Sequence, residues 1–147
     1  MVEIKFKRLR GTDIKLPQKQ TPQAAGMDIC ADIDDYLTIF PGHIALIPTG
    51  FAMKIPEGYE AQIRPRSGLA INDGITVVNS PGTIDSDYRG EVKVALINML
   101  DTRYVVVRGE RIAQMVISKV ETVAVIEVDE LDDTERGDGG FGSTGRR

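Results

Sequence analysis

Asp85 follows closely on a Pro-Gly turn, a setting from which a carboxylate can take a proton from water. It lies within Asn79-Ser80-Pro81-Gly82-Thr83-Ile84-Asp85-Ser86-Asp87-Tyr88-Arg89-Gly90, which follows apolar Val77-Val78 and reads as a hairpin. The edges of such a hairpin could pinch a flat ligand, with backbone groups reading its rim and Tyr88 packing on a sugar. The plainer reading makes Asp85 and Asp87 solvated turn residues, and Asp87 is expected to be one.

A second group is built for anions. In Arg64-Pro65-Arg66-Ser67-Gly68-Leu69-Ala70 a guanidinium, a hydroxyl and backbone amides stand next to one another, as phosphate recognition requires. A turn carrying surface arginines would look the same. Gln114 lies among Ile112, Ala113, Met115 and Val116, where an unpaired amide costs about 1–3 kcal/mol, so it must reach a surface or a partner. A phosphate oxygen would be one such partner. Asp28, in Ala25-Gly26-Met27-Asp28, reads either as a buried carboxylate bonded to backbone or as a group facing a metal's water shell. Asp32, Asp34 and Asp35 form a charge run expected to face solvent. Cys30 is expected to be a small core residue and His43 a turn residue.

The C-terminal stretch Arg136-Gly137-Asp138-Gly139-Gly140-Phe141-Gly142-Ser143-Thr144-Gly145 could also grip an anion. Its glycines let N–H groups converge, Ser143 and Thr144 add hydroxyls, Arg136 adds a planar fork, and Phe141 offers a stacking face. The frame Gly137…Gly142-Ser143-Thr144 echoes a Walker A loop, but Ser143 stands where Lys must be, so that reading is rejected. Residues 129–135 carry five acids, and residues 135–147 hold only one large apolar side chain, Phe141. Such a segment buries too little to order itself, which leaves a disordered tail or a lid that orders on a ligand.

The elements that must position these groups are strands. The chain has 147 residues, 41% of them hydrophobic, with 15 Gly and 7 Pro that divide the first hundred residues into short pieces. Several pieces alternate at period two: Val2, Ile4 and Phe6; Tyr59, Ala61 and Ile63; Val92, Val94 and Leu96. Tyr104-Val105-Val106-Val107 reads as a strand buried on both faces. The β-branched residues between Val116 and Val128 predict strands there too, although Ile112, Val116, Val120 and Val123 would also line a helix. Many short strands imply a sandwich, barrel or jelly roll, with one domain at this length. No apolar run approaches the ~20 residues of a membrane span, and the N-terminus lacks a signal peptide's apolar core. One Cys and one His exclude an internal disulfide and a Cys/His zinc cage. A net charge of −4 argues against nucleic-acid binding. The expected setting is the cytoplasm.

Taken together, five motifs in this order resemble the homotrimeric dUTPase family: Ala25–Asp28, Pro65–Ala70, Gly82–Gly90, Arg108–Gln114 and Arg136–Gly145. Ile29 stands where that family prefers Leu, a conservative departure. The resemblance implies an all-β distorted jelly roll of the β-clip kind over residues 1–128. A flexible C-terminal arm, residues 129–147, would close over an active site shared within a homotrimer. It implies hydrolysis of dUTP to dUMP and pyrophosphate with Mg2+. Asp85 would activate water, and Tyr88 would stack under the deoxyribose and exclude a 2′-hydroxyl. Asn79, Gly82, Thr83 and Ile84 would read uracil. Arg66, Ser67, Gly68 and Gln114 would hold phosphate oxygens. Arg136, Gly142, Ser143 and Thr144 would clamp the outer phosphates beneath a Phe141 cap, and Asp28 would meet Mg2+ through water. The related dCTP deaminases use a glutamate where Ala95 stands here, so deamination is not expected. A nucleotide sensor without turnover would need no base at Asp85.

Overall fold

Turn residues at short intervals hold the strands to between three and nine residues in a computed structural model describing residues 1–145. The order is β1 (Lys5–Arg8), β2 (Met27–Cys30), β3 (Tyr36–Ile39), β4 (Ile44–Pro48), β5 (Phe51–Lys54), β6 (Tyr59–Arg64), α1 (Ser67–Asp73), β7 (Ile75–Val77), β8 (Gly82–Ile84), β9 (Lys93–Asn98), β10 (Tyr104–Val107) and β11 (Arg111–Lys119). All pairings among these strands are antiparallel, in four sheets ordered β1-β5, β10-β3, β2-β11-β6-β8 and β4-β9-β7. Their inner faces share one apolar core, which makes the fold the expected jelly-roll-like β structure.

Period-two alternation fills that core. Ala61 and Ile63 point inward from β6, and Val92, Val94 and Leu96 point inward around β9. Phe51 is fully buried, and Phe6 packs edge-on against it with ring centres 5.4 Å apart. Asn98 is buried among them and fully paired. Its amide nitrogen donates to the carbonyls of Ile39 (2.9 Å) and Thr102 (2.7 Å), and its oxygen accepts from Leu100 N–H (3.0 Å). These bonds tie the end of β9 to β3, and an unpaired amide there would cost ~1–3 kcal/mol.

Several local expectations change. The segment from Val77 to Gly90 is no hairpin: β7 pairs with β9 while β8 pairs with β6, so the Asn79–Pro81 turn carries the chain from one sheet to another. A short helix, α1, follows Arg66 where a turn was expected, and Gly74 in the left-handed region (φ 59°) ends it. On β10 only Val106 is buried; Val105 and Val107 face outward. The strand expected across 116–128 stops at Lys119. Beyond it Val123, Val125, Ile126 and Val128 are exposed, so β-branching alone does not make a strand where no partner edge is offered.

The largest reversal concerns Asp32. It is buried, while Asp34 and Asp35 are exposed as expected. Thr12 Oγ1 (2.9 Å), Arg108 Nη1 (2.9 Å) and Arg10 Nη2 (3.0 Å) all donate to its carboxylate. Burial pushes its pKa up, but these three donors outweigh burial and hold it below the ordinary value. Glu91 is held low as well, chiefly by its hydrogen bonds from Arg10. Depressed carboxylates add stability that is fully present above their unfolded values, ~4, and lost as pH falls through the folded ones. The unfolding temperature should therefore stay level from pH 7 to about 5 and drop below about 4. Circular-dichroism melts should show a shallower acid drop in Asp32→Asn, which at pH 7 should already be less stable by about 2 kcal/mol.

Candidate active site

The four-stranded sheet lays the sequence motifs side by side. In β11, Gln114 pairs across to Asp28 of β2 on one side and to Arg64 of β6 on the other. Pro65 and Arg66 continue from β6 into α1, whose first backbone amides have no intrahelical acceptor. Asp28 is clamped between two arginines: Arg66 Nε lies 3.3 Å from one carboxylate oxygen and Arg111 Nη1 lies 3.1 Å from the other. Arg66 Nη1 also donates to the Arg111 carbonyl (3.1 Å). Ser67 and Gly68 are exposed beside this clamp.

Gln114 has a partner within the chain. Its Nε2 donates to the Pro65 carbonyl at 2.9 Å, which leaves one N–H free. Its side chain lies directly over Gly26, where an added Cβ would come within 2.2 Å of Oε1. A side chain at position 26 would thus displace the Gln114 amide, whose bond to Pro65 ties the Arg66 loop to β11.

The corner that carries Asp85 lies elsewhere. Gly82 pairs with Ile63 and Ile84 with Ala61, so β8 runs away from the Arg66 end of β6. Ile84 stands five residues short of Arg66 along that strand, and Asp85 steps further off. At ~3.3 Å per residue the two groups lie on the order of 15–20 Å apart. Asp85 and Tyr88 line an open cleft of about 490 Å³, while Asp28 and Arg111 line another of about 570 Å³, and the two clefts share no residue. Asn79 and Thr83 are exposed; the Asn79 amide rests against Gly82, at 3.2 Å from where a Cβ would stand.

The C-terminal segment curls on itself. Arg136 Nε donates to the Gly139 carbonyl at 2.7 Å, and Ser143 N–H donates to that of Gly140 at 2.9 Å. Arg136, Phe141, Gly142, Ser143 and Thr144 then rim one hollow, with Phe141 wholly exposed. No group of three or more His, Cys, Asp or Glu side chains gathers as a metal site among the described residues.

Two features escaped the sequence reading. Arg111 supplies half of the Asp28 clamp, and a network of Arg10, Asp32, Glu91 and Arg108 lies behind the corner. Spacing gave no warning of the network, because Arg10 reaches partners 22 and 81 residues away. Cys30 is buried, as expected, and burial raises its thiol pKa. Burial also raises the Tyr104 phenol, which donates to Glu110.

Fold and side chains together define a jelly-roll β protein with two separate polar surfaces, one arginine-rich and one carrying an exposed carboxylate. The chain belongs to the dUTPase family, whose model matches residues 12–145. A deoxyuridine 5′-triphosphate nucleotidohydrolase of Rhizobium rhizogenes is 60% identical over 92% of this chain and 88% of its own. One from Rickettsia bellii is 55% identical over 99% and 97%. Among solved structures, a variant of the Staphylococcus bacteriophage 80alpha dUTPase with dUpNHpp superposes with a TM-score of 0.87 at 27% identity, covering 98% of this chain and 99% of that one.

Gly26→Ala should push Gln114 off Pro65 and lower unfolding stability by about 1–3 kcal/mol. Adding Gln114→Ala should recover part of that loss in denaturant titrations, because the clash is then gone.

Proposed function

We propose that this chain is a dUTP diphosphatase that hydrolyses dUTP to dUMP and pyrophosphate by in-line water attack at the α-phosphorus. The observation that carries the reading is a family match over 12–145 within which all five motifs stand complete. Such a reaction needs a positioned water, an acceptor for its proton and neutralisation of the pyrophosphate leaving group. Asp85 is the acceptor, exposed at the end of β8. Its carboxylate takes the proton as the water oxygen bonds to phosphorus and the bond to the bridging oxygen breaks.

β8 is the outer strand of its sheet, so half of its backbone groups point away from β6. Those of Gly82, Thr83 and Ile84, with the Asn79 amide, suit uracil, whose rim offers one donor between two acceptors. Tyr88 lies under the deoxyribose, where its ring excludes a 2′-hydroxyl. Arg66, Ser67, Gly68 and the free N–H of Gln114 hold phosphate oxygens, each charge-assisted bond contributing ~1.5–3 kcal/mol. Arg136, Gly142, Ser143 and Thr144 clamp the outer phosphates, and Phe141 caps the base.

The described residues gather no cage of three or more acidic side chains, so a Mg2+ ion here would take most of its ligands from water and phosphates. Asp28 would hold it through water, and the ion would neutralise phosphate charge when bound.

One chain does not bring Asp85 to Arg66, and this supports a homotrimer with shared sites: Asp85 and Tyr88 from one protomer, Arg66 and Gln114 from a neighbour, the 129–147 arm from the third. Leu131 and Phe141, both exposed within residues 129–147, suit an arm that finds its partners on another protomer. The reaction lowers dUTP, which limits uracil incorporation into DNA, and supplies dUMP for thymidylate synthesis in the cytoplasm. Ala95, with no proton-carrying side chain, fits hydrolysis rather than deamination.

Asp85→Asn should still bind dUTP in calorimetry while losing ~10²–10⁴-fold in turnover; near-normal pyrophosphate release would remove Asp85 from the mechanism. Refolding equal amounts of Asp85→Asn and Arg66→Ala chains together should restore activity in about a quarter of the sites, by chance assortment in a closed ring. Mixtures as inactive as either parent would argue against shared sites. Deleting residues 136–147 should abolish most turnover with the melting temperature unchanged.

A further inference from the structure

Tyr88 is held at its tip from behind. Its hydroxyl donates to the main-chain carbonyl of Glu91 (3.0 Å), and the ring folds so tightly over Gly90 that a Cβ there would lie 2.4 Å from the phenol oxygen. Tyr88 itself is 46% exposed, and its N–H donates to the Asp85 carbonyl at 3.1 Å. The Glu91 side chain is bound on both oxygens. Arg10 Nη2 donates to one at 2.7 Å and Arg10 Nη1 to the other at 3.1 Å, and Gly50 N–H adds a bond of 3.1 Å. The same guanidinium reaches Asp32 (3.0 Å), which Thr12 and Arg108 hold in turn. Arg10 adopts a left-handed backbone (φ 53°), uncommon for a residue with a side chain. From there its guanidinium fork reaches two carboxylates that lie 22 and 81 residues away along the chain.

We propose that Arg10 and Glu91 are positioning residues that fix the Tyr88 ring and thereby set the preference for deoxyribose over ribose. The proposal rests on the reading that Tyr88 lies under the sugar. Neither residue is assigned to substrate: the Glu91 carboxylate is spent on Arg10 and Gly50, and the Arg10 fork on Glu91 and Asp32. Steric rejection of one hydroxyl demands a ring that cannot yield, and a phenol tethered to a mobile carbonyl would yield. The Arg10 fork makes the carbonyl immobile by fixing the side chain of the same residue. Arg10 is held above its ordinary pKa by Glu91 and Asp32, so the clamp stays charged across assay conditions.

The test compares kcat/KM for dUTP and UTP in Arg10→Lys, which keeps the charge and loses the fork, and in Glu91→Gln. Each should cut the dUTP-to-UTP ratio by about tenfold, with KM for dUTP raised and kcat within about twofold. Tyr88→Phe, which removes the tethering hydroxyl, should reproduce that loss. Adding Arg10→Lys to Tyr88→Phe should then change the ratio by less than about twofold, because both act through one bond. Full additivity would overturn the proposal, as would a wild-type ratio in the folded single variants. Arg10 has a side chain 52% exposed, so Arg10→Lys carries the test if Glu91→Gln does not fold. Tyr88→Ala separates the two levels. If it leaves UTP excluded, the sugar-stacking reading fails; if it admits UTP while Arg10→Lys does not, the clamp alone fails.

Discussion

The register of β11 is the constraint on which the rest of the molecule depends. This strand has a partner on each side, and both ladders must place Gln114 outward while Ala113 and Met115 point into the core. Side chains alternate with period two, so a slip of one residue would bury an amide and expose Met115. The correct register also sets Asp28 and Arg64 on either side of Gln114 and brings Arg111 within reach of Asp28. The irregularity between Arg111 and Ala113 moves that arginine relative to the ladder without disturbing the phase at Gln114.

An acidic chain that must hold a polyanion needs local charge rather than net charge. Much of the arginine here is matched to carboxylates: Arg66 and Arg111 to Asp28, Arg108 to Asp13 and Asp32, Arg10 to Asp32 and Glu91. Such pairing gives little stability where both groups are wet. Its main effect is geometric, because a guanidinium fixed at one edge presents its other edge in a set direction. Arg66 is bound along Nε and Nη1, so its planar head is aimed before any ligand arrives. Preorganisation of this kind reduces the ordering cost of binding.

Much of the core was legible from local pattern. The inward rows Ala61-Ile63 and Val92-Val94-Leu96 follow from alternation, and the site motifs were visible as clusters of chemically suited residues. The burial of Asp32 is not legible locally, because its neighbours Asp34 and Asp35 are solvated and nothing in its own vicinity marks it as different. Its donors come from residue 10, residue 12 and residue 108, each brought in by tertiary pairing. The Asn79–Pro81 turn departs from its local pattern for a related reason. A Pro-Gly turn between two short strands resembles a hairpin locally, whereas strand partners are chosen by the burial of whole sheets.

The sequence by itself determined the strand-rich class, the alternating core, the acidic run before a glycine-rich end, and the five motifs whose order marks the family. These are local properties, set by side-chain type and spacing along the backbone. Only the tertiary structure decided which edge each strand meets, that Gln114 closes on Pro65, that Asp32 is buried in a cage of donors, and that Asp85 stands far from Arg66. Those outcomes depend on contacts between residues far apart in the chain, where the gain from burial and paired charge is collected only after the sheets have closed.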